Sequence, residues 1–246
     1  MNKLVSSGLG AVQSAKMGFR KVSHVIFDMD GLLLDTETLY TKVTQAILDE
    51  YGDGQTYTWE VKTSLMGLQR EEVANRLVKL YNLPLTPEEY MDLTLEHIRL
   101  LMADCQKMPG AEKLVRHLHD NRIPIALATS SSTESVEVKT AKHQDLFKLF
   151  HHKVMGSSDP EVKNGKPAPD IFLVAAKRFP DNPSPENCLV FEDAPNGVKA
   201  ARSAGMQVVM VPDENITDDL KQGATVVLKS LEDIKLEDFG LPPLPA

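Results

Sequence analysis

The chain has 246 residues, of which 42% are hydrophobic, and its formal net charge is −8. This composition is ordinary for a globular protein and sufficient for a sizeable core. The acidic charge and the lack of a long basic cluster argue against a nucleic-acid-binding protein, and no apolar run approaches the roughly 20 residues of a membrane span. We expect a monomer with no nucleic-acid or membrane partner.

The two cysteines and the first residues bear on the cellular compartment. Cys105 and Cys188 are far apart in apolar contexts, which predicts buried free thiols and a reducing compartment, the cytoplasm. Residues 1–21 contain four basic residues and no acid, and we interpret them as a flexible N-terminal tail. An organellar transit peptide is the alternative interpretation of this composition.

The most informative segment runs from Val25 to Asp35. A short run of β-branched and aromatic residues predicts a buried strand of a parallel sheet, and Asp28 and Asp30 follow it. Ligands of such sheets bind beyond the carboxyl ends of the strands. Because side chains alternate along an extended backbone, one carboxylate can attack or bind metal while the other faces a leaving group. Neighbouring carboxylates repel each other, so the pair requires a divalent metal, a lysine or both.

Residues 36–107 show recurring helical patterns and no convincing strand. Asp35 or Thr36 is suited to cap the first helix, and two further helical segments follow. An all-helical block that interrupts an α/β pattern is typical of an inserted cap domain. The loop after Asp30 and the turn at residues 108–110 are the expected hinges.

Strands and single helices alternate again after residue 108, which predicts right-handed βαβ units. The predicted fold class is α/β: a Rossmann-like, three-layer core with a parallel sheet and an inserted small helical cap domain. The core is discontinuous and comprises residues 22–35 and 108–240, and the cap comprises residues 36–107. Residues 241–246, which are rich in proline, form a C-terminal tail.

Polar residues follow two further segments of the predicted core. Thr129 and Ser130 end a strand and open a helix, where hydroxyl and free N–H groups suit a phosphate, although Ser and Thr are also common helix caps. Lys166 lies between Gly165 and Pro167, which constrains it more than an ordinary surface lysine, the alternative interpretation.

A pair of acids, Glu192 and Asp193, follows the strand at residues 188–191. Paired acids at the end of a buried strand are costly unless a cation is close. Oxygen ligands from Asp28 and Asp193 suit octahedral Mg²⁺ better than zinc, for which no histidine or cysteine cluster exists. The sequence also lacks the glycine-rich loops of nucleotide-binding proteins and the nucleophile elbow of serine hydrolases.

Taken in order, these four motifs resemble those of the haloacid-dehalogenase superfamily, and the resemblance runs from about Val22 to Gly240. It implies a Mg²⁺-dependent phosphomonoester hydrolase that acts through an aspartyl-phosphate. The implied catalytic residues are Asp28 as nucleophile, Asp30 as acid and base, and Lys166, which holds Asp28 and the phosphate. The implied phosphate ligands are Thr129, Ser130 and Lys166, and the implied Mg²⁺ ligands are Asp28, the Asp30 carbonyl and Asp193, with Glu192 in support.

A closer similarity within the superfamily is carried by residues 108–114, 165–179, 190–213 and 239–242. This resemblance implies a small phosphorylated metabolite as substrate: pseudouridine 5'-monophosphate or a similar small nucleotide or sugar phosphate. Arg70 or Gln69 is a candidate contact to the leaving group, and an exposed helix start is the alternative. A sugar phosphomutase would share every catalytic residue. It would differ only in that a sugar hydroxyl, rather than water, attacks the aspartyl-phosphate. A non-catalytic phosphate-binding protein would be expected to lack Asp28 or Asp30, and both are present.

Overall fold

A computed structural model describes residues 19–66, 68–101 and 105–245. Within these residues, six strands form one sheet, in which every pair of neighbours is parallel. The strands are β1 (His24–Phe27), β2 (Ile125–Thr129), β3 (His152–Met155), β4 (Cys188–Glu192), β5 (Gln207–Met210) and β6 (Val226–Val227). Their order, β3-β2-β1-β4-β5-β6, reverses between β1 and β4, the position at which open α/β sheets bind ligands.

Nine α-helices lie in the described residues, and the first four of them separate β1 from β2 along the chain. They are α1 (Glu37–Tyr51), α2 (Trp59–Leu65), α3 (Arg70–Leu80), α4 (Pro87–Leu101), α5 (Ala111–Asp120), α6 (Thr133–Thr140), α7 (Gln144–Phe147), α8 (Asp170–Lys177) and α9 (Pro195–Ser203). No helix in the described part of the chain is long and apolar enough to cross a membrane.

The sheet is covered on both faces because its side chains alternate between two hydrophobic clusters. In β1, Val25 and Phe27 belong to one cluster and Ile26 belongs to the other. On the first face, α5 buries Leu114, Val115 and Leu118, whose spacing forms one helical stripe. Strands buried on both faces are almost continuously apolar, as expected for a parallel sheet between two helical layers. This arrangement confirms the predicted fold class.

Helices α1 to α4 share a third cluster of buried residues, separate from the two that flank the sheet. Two of these helices have side-chain caps: the Thr58 hydroxyl accepts from the Val61 N–H at 3.3 Å, and Thr86 and Glu89 bond each other reciprocally before α4. Thr36 is the N-cap residue of α1, but its side chain makes no capping bond. These helices therefore possess a small core of their own, although they lie between two strands of the sheet in sequence.

The chain passes twice between the sheet and these helices, and the two crossing segments are hydrogen-bonded to each other. The Asp35 N–H donates to the Gln106 carbonyl at 2.9 Å, and the Met108 N–H donates to the Leu33 carbonyl at 2.9 Å. Gly31 begins the outgoing segment with φ of 77°, a conformation that favours glycine.

Most of the proposed N-terminal tail, residues 1–18, lies outside the described residues. Of the remainder, Phe19 stacks on Phe239 with ring centroids 4.8 Å apart, and Arg20 pairs with Glu186 at 3.0 Å. In the proposed C-terminal tail, Leu241 is buried. The described parts of both segments therefore pack against the α/β core.

Candidate active site

A buried lysine connects the ends of two central strands. Lys166 Nζ donates to Asp28 Oδ1, after β1, and to Glu192 Oε1, at the end of β4, both at 2.6 Å. The three residues are at most 5% exposed. Burial disfavours the lysine charge, but the two carboxylates outweigh it, so the pKa of Lys166 lies above its ordinary value. The structure thus brings together three of the residues predicted from sequence.

Glu192 is fixed at both carboxylate oxygens. While Oε1 accepts from Lys166, Oε2 accepts from the backbone N–H groups of Asp193 at 3.0 Å and Ala194 at 3.1 Å. Helix α9 covers this carboxylate at Gly197, where a Cβ atom would overlap the Glu192 side chain. The geometry suits Glu192 to orienting Lys166.

Asp28, Glu192 and Asp193 are buried, and each offers a carboxylate oxygen within 4.8 Å of the other two. A buried group of three carboxylates with one lysine retains excess negative charge, which a divalent cation would offset. Oxygen donors of this kind fit Mg²⁺, while zinc favours nitrogen and sulfur ligands. The residues present therefore fit the predicted cofactor.

The acids also influence one another electrostatically. Burial raises the pKa of Asp28 to about 7; Lys166 opposes the rise, while the charges of Glu192 and Asp30 add to it. Burial and the charge of Glu192 raise the pKa of Asp193 well above its usual range as well. Both carboxylates are thus destabilised in their ionised form by their surroundings, as expected for a cluster arranged around a cation.

Asp30 faces away from this group and toward the loop that follows β2. Its Oδ1 accepts from Lys139 Nζ at 2.6 Å, and its Oδ2 accepts from the Ser131 hydroxyl at 2.8 Å and from the Thr129 hydroxyl at 3.2 Å. Burial opposes the charge of Asp30, but Lys139 outweighs it and holds the pKa of this carboxyl below its usual range. The two aspartates predicted to differ in role therefore have different partners.

A cavity of about 150 Å³ lies between this end of the sheet and helices α1 to α4. Its floor includes Asp28, Asp30 and Asp193, and one wall includes Ser130 and Ser131. Thr129 is completely buried and does not line the cavity, and its hydroxyl is directed at Asp30. Of the two hydroxyl residues among the predicted phosphate ligands, Ser130 lines the cavity, whereas Thr129 donates to Asp30 instead.

The roof of the cavity combines apolar and aromatic side chains with a few polar ones. The aromatic members are tyrosines from three segments: Tyr40, Tyr57 and Tyr90. Lys62 also lines the roof, and its ammonium donates to the Thr41 hydroxyl at 2.9 Å and pairs with Glu37 at 3.5 Å. A chamber of this composition suits a ligand that has both apolar and polar groups.

The two cap residues singled out from sequence occupy different positions. Arg70, the first residue of α3, lines the cavity, and its guanidinium donates to the Met91 carbonyl on α4. Gln69 donates to the Gly156 carbonyl at 3.2 Å and packs against Gly165, the residue before Lys166. Gln69 thus joins the helical block to the core.

Sequence reasoning did not identify Lys139, Glu37 or Lys62. Ser131 belongs to the run of hydroxyl residues at 129–132 that suits a phosphate, but it was not among the predicted phosphate ligands. For Lys139 a signal existed: it lies four positions after Ser135 on α6, so a lysine occupies a stripe that the helix buries. Glu37 and Lys62 meet only because α1 and α2 pack together, which no local pattern indicates.

A protein-family model described as haloacid dehalogenase-like hydrolase matches residues 22–205. This range contains the described ends of β1, β2 and β4 and all the carboxylates and lysines of the site.

Proteins of known name are similar over most of the chain. A Drosophila melanogaster protein named "Probable pseudouridine-5'-phosphatase" is 59% identical over 223 residues, 91% of this chain and 96% of that protein. The "(DL)-glycerol-3-phosphatase 1, mitochondrial" of Arabidopsis thaliana is 46% identical over 228 residues, 92% of this chain and 76% of that protein. The crystal structure of a β-phosphoglucomutase from Clostridium difficile superposes with a TM-score of 0.73 at 26% identity, covering 89% of this chain and 97% of that one.

Proposed function

The chain belongs to the haloacid dehalogenase-like hydrolases and is a phosphatase of that family, and we propose that it hydrolyses pseudouridine 5'-monophosphate through an aspartyl-phosphate on Asp28. The observation that carries the proposal is the Asp28 carboxylate, which lies on the cavity floor and is held by Lys166 at 2.6 Å. A carboxylate fixed in this way is oriented for in-line attack on a phosphorus atom.

In the first half of the reaction, an Asp28 oxygen attacks phosphorus, and the bond to the ester oxygen breaks. The electron pair of that bond goes to the ester oxygen, which takes a proton from Asp30. Asp30 must therefore be protonated for this step, although Lys139 favours its ionised form. In the second half, water attacks phosphorus and returns its proton to Asp30, while Asp28 leaves with its electron pair. Lys166 keeps Asp28 in place, and Ser130 on the cavity wall is suited to bind phosphoryl oxygens.

We propose Mg²⁺ as the cofactor, held by the Asp28 and Asp193 carboxylates and the Asp30 carbonyl, with Glu192 in support. When bound, it would offset negative charge on the phosphoryl oxygens. The support for this assignment is the buried, all-oxygen donor group described above.

The relatives differ in the substrates that their names carry, and the cavity roof favours the nucleotide. The names refer to a pseudouridine phosphate and to glycerol 3-phosphate. The roof offers three tyrosines and apolar side chains, which suit a nucleobase better than a small polyol.

We also propose that the protein is a monomer and that it is located in the cytoplasm. Gel filtration tests the monomeric state, and imaging of the tagged chain tests the compartment.

A sugar phosphomutase is the second candidate, since a β-phosphoglucomutase shares the fold. Such an enzyme must hold a second phosphate in the roof. The basic residues among those that line the cavity in the described chain are Lys62 and Arg70. Lys62 is paired with Glu37, and the Arg70 guanidinium is bonded to a carbonyl, so neither is placed to serve as a ready phosphate ligand.

The test is phosphate release from a panel that includes pseudouridine 5'-monophosphate, uridine 5'-monophosphate, glycerol 3-phosphate and β-glucose 1-phosphate, with and without Mg²⁺. We expect the highest kcat/KM for the pseudouridine ester and no release in the presence of a chelator. Isomerisation of the sugar phosphate without phosphate release would contradict the proposal and favour the mutase.

A further inference from the structure

Lys139 is a buried cation that the mechanism above does not use. It lies on α6, is 1% exposed and does not line the cavity. Its ammonium donates to Asp30 Oδ1 at 2.6 Å and to the Ser131 hydroxyl at 2.8 Å. Burying an ammonium group costs several kcal/mol before its interactions are counted, so a lysine here needs a compensating partner.

The contacts of Lys139 close a hydrogen-bonded ring around one carboxylate. Ser131 accepts from Lys139 and donates to Asp30 Oδ2 at 2.8 Å, and Thr129 donates to the same oxygen at 3.2 Å. Both oxygens of Asp30 are therefore held from the side of β2 and α6. Such a ring fixes the side-chain torsions of Asp30, which a short carboxylate on a loop would otherwise sample freely.

A cap residue completes the surroundings of the ammonium. The Lys139 Nζ atom lies 4.6 Å from the centroid of the Tyr40 ring, in the first turns of α1. This contact adds cation–π attraction and screens the ammonium from the cavity. The lysine therefore touches Asp30, the loop after β2 and the first cap helix at once.

We infer that Lys139 is a positioning residue for the acid and base catalyst, holding the Asp30 carboxyl where it meets the ester oxygen of the substrate. The inference rests on the proposed function, because it assigns Lys139 a role only through Asp30. The proton transfers remain those written above. Lys139 neither gives nor takes a proton, and it has no contact with the phosphate.

The test compares Lys139→Met with Asp30→Asn on two esters. An alkyl phosphate such as pseudouridine 5'-monophosphate needs a proton on its leaving oxygen, whereas p-nitrophenyl phosphate has a good leaving group and does not. For Lys139→Met we expect kcat on the alkyl ester to fall roughly 10²-fold or more, kcat on the aryl ester to fall less than about tenfold, and KM to change little. Asp30→Asn is expected to show the same selectivity more strongly.

Thr140→Val is the matched control, because Thr140 is equally buried on the same helix and its hydroxyl donates to the Val136 carbonyl at 2.7 Å, away from Asp30. We expect this variant to keep the wild-type ratio of the two activities. A Lys139→Met enzyme that loses both activities equally, or that gains activity on the alkyl ester, overturns the inference.

Ser131→Ala provides a second variant in case Lys139→Met does not fold. It removes one donor to Asp30 Oδ2 and should also lower activity on the alkyl ester more than on the aryl ester, but less strongly. A wild-type ratio of the two activities would contradict the role of the hydrogen-bonded ring. Failure of the proposed function gives a different result: Asp30→Asn itself would then show no preference for the aryl ester. If Asp30→Asn shows the preference and both positioning variants lack it, only the inference about Lys139 fails.

Discussion

Lys166 pairs with two carboxylates that differ in exposure: the Asp28 side chain is 7% exposed, and the Glu192 side chain is completely buried. Asp28 lies on the cavity floor, and Glu192, which has no exposed surface, is fixed by backbone N–H groups. The position of the proposed nucleophile therefore depends on an acid that the backbone holds in place. A substitution at Asp28 or at Glu192 is therefore expected to affect the position of the other residue through Lys166.

Replacement of Asp28 by asparagine tests the nucleophile. The amide has no carboxylate with which to attack phosphorus, so we expect kcat to fall by at least about 10⁴-fold. Thermal unfolding should occur at the wild-type temperature or higher, since one of three neighbouring buried charges is removed. Substantial turnover by the purified variant would exclude the covalent scheme.

Replacement of Lys166 by methionine should affect both activity and stability. It leaves two buried carboxylates without their shared cation, and we expect a loss of about 3 kcal/mol in the free energy of unfolding, measured in urea without added metal. Turnover should be lost as well. The control is Lys177→Met, since Lys177 is paired with Glu161 at 3.3 Å on the surface, and it should change neither quantity appreciably. Wild-type stability of Lys166→Met would contradict the role assigned to the ion pairs.

Single residues were predictable where a polar group interrupts an apolar run. Asp28 and Glu192 each end a buried strand, so the strand pattern alone placed them at one edge of the sheet. Lys139 escaped detection because the face that α6 buries is mixed, with Ser135 and Thr140 beside Val136. A lysine in a mixed stripe resembles an ordinary solvent-facing residue until the partner, Asp30, is known.

Among the elements, α9 contributes to the site by its close approach rather than by a functional group. It begins at Pro195, whose fixed φ suits a helix start, and Gly197 then lies directly against the Glu192 carboxylate. No other side chain leaves room for that carboxylate. The glycine is thus required by packing, although its backbone is helical.

The variant Gly197→Ala distinguishes the effect of the close contact with Glu192 from the effect of helix propensity. Alanine favours a helix over glycine by about 1 kcal/mol, so the helix itself should gain, yet the new methyl group must displace Glu192. We expect kcat to fall by about tenfold or more, because Lys166 and Asp28 move with it. Lys199→Ala, at an exposed position of the same helix, is the control and should retain full activity. Unchanged kcat in Gly197→Ala would show that Glu192 tolerates displacement.

Three of the four cap helices were predicted from local sequence, but the binding surface that they form was not. Apolar periodicity indicates α1, α3 and α4, whereas the short helix α2, of seven residues, was not predicted. The cavity roof instead depends on how α1 packs against α4, which brings Tyr40 and Tyr90 to one wall. The proximity of these two tyrosines results from tertiary packing, so it cannot be predicted from a short segment of sequence.

At the scale of the whole molecule, the four cap helices have their own hydrophobic cluster and join the core through two adjacent crossing segments. Further contacts bridge the two parts, including the Asn196 amide to the Met66 carbonyl at 2.7 Å and the Trp59 indole to the Asn215 carbonyl at 3.2 Å. Met66 and Trp59 also pack against the apolar cluster on one face of the sheet, so both polar and apolar contacts join the cap to the core.

Excision of residues 36–106, with a short Gly-Ser linker in their place, tests whether the core folds without the cap and whether turnover requires the cap. The crossing segments are already hydrogen-bonded to each other, so the ends are close enough to be joined. We expect a core that unfolds cooperatively, as followed by circular dichroism. Turnover of pseudouridine 5'-monophosphate should be lost together with the cavity roof. An aggregated or unfolded product would show that the core needs the helices for stability.

The central position of β1 has a consequence for folding. Val25 lies opposite Ile125 on one side and Leu189 on the other, so both neighbours of this strand are a hundred positions or more away along the chain. Contacts of such long range give a high contact order and slow folding, because loop closure precedes any gain from pairing. Asp28 can meet Glu192 only after β4 has docked on β1, and Lys166 comes from the segment between β3 and α8, so the candidate active site is expected to be among the last parts of the protein to form.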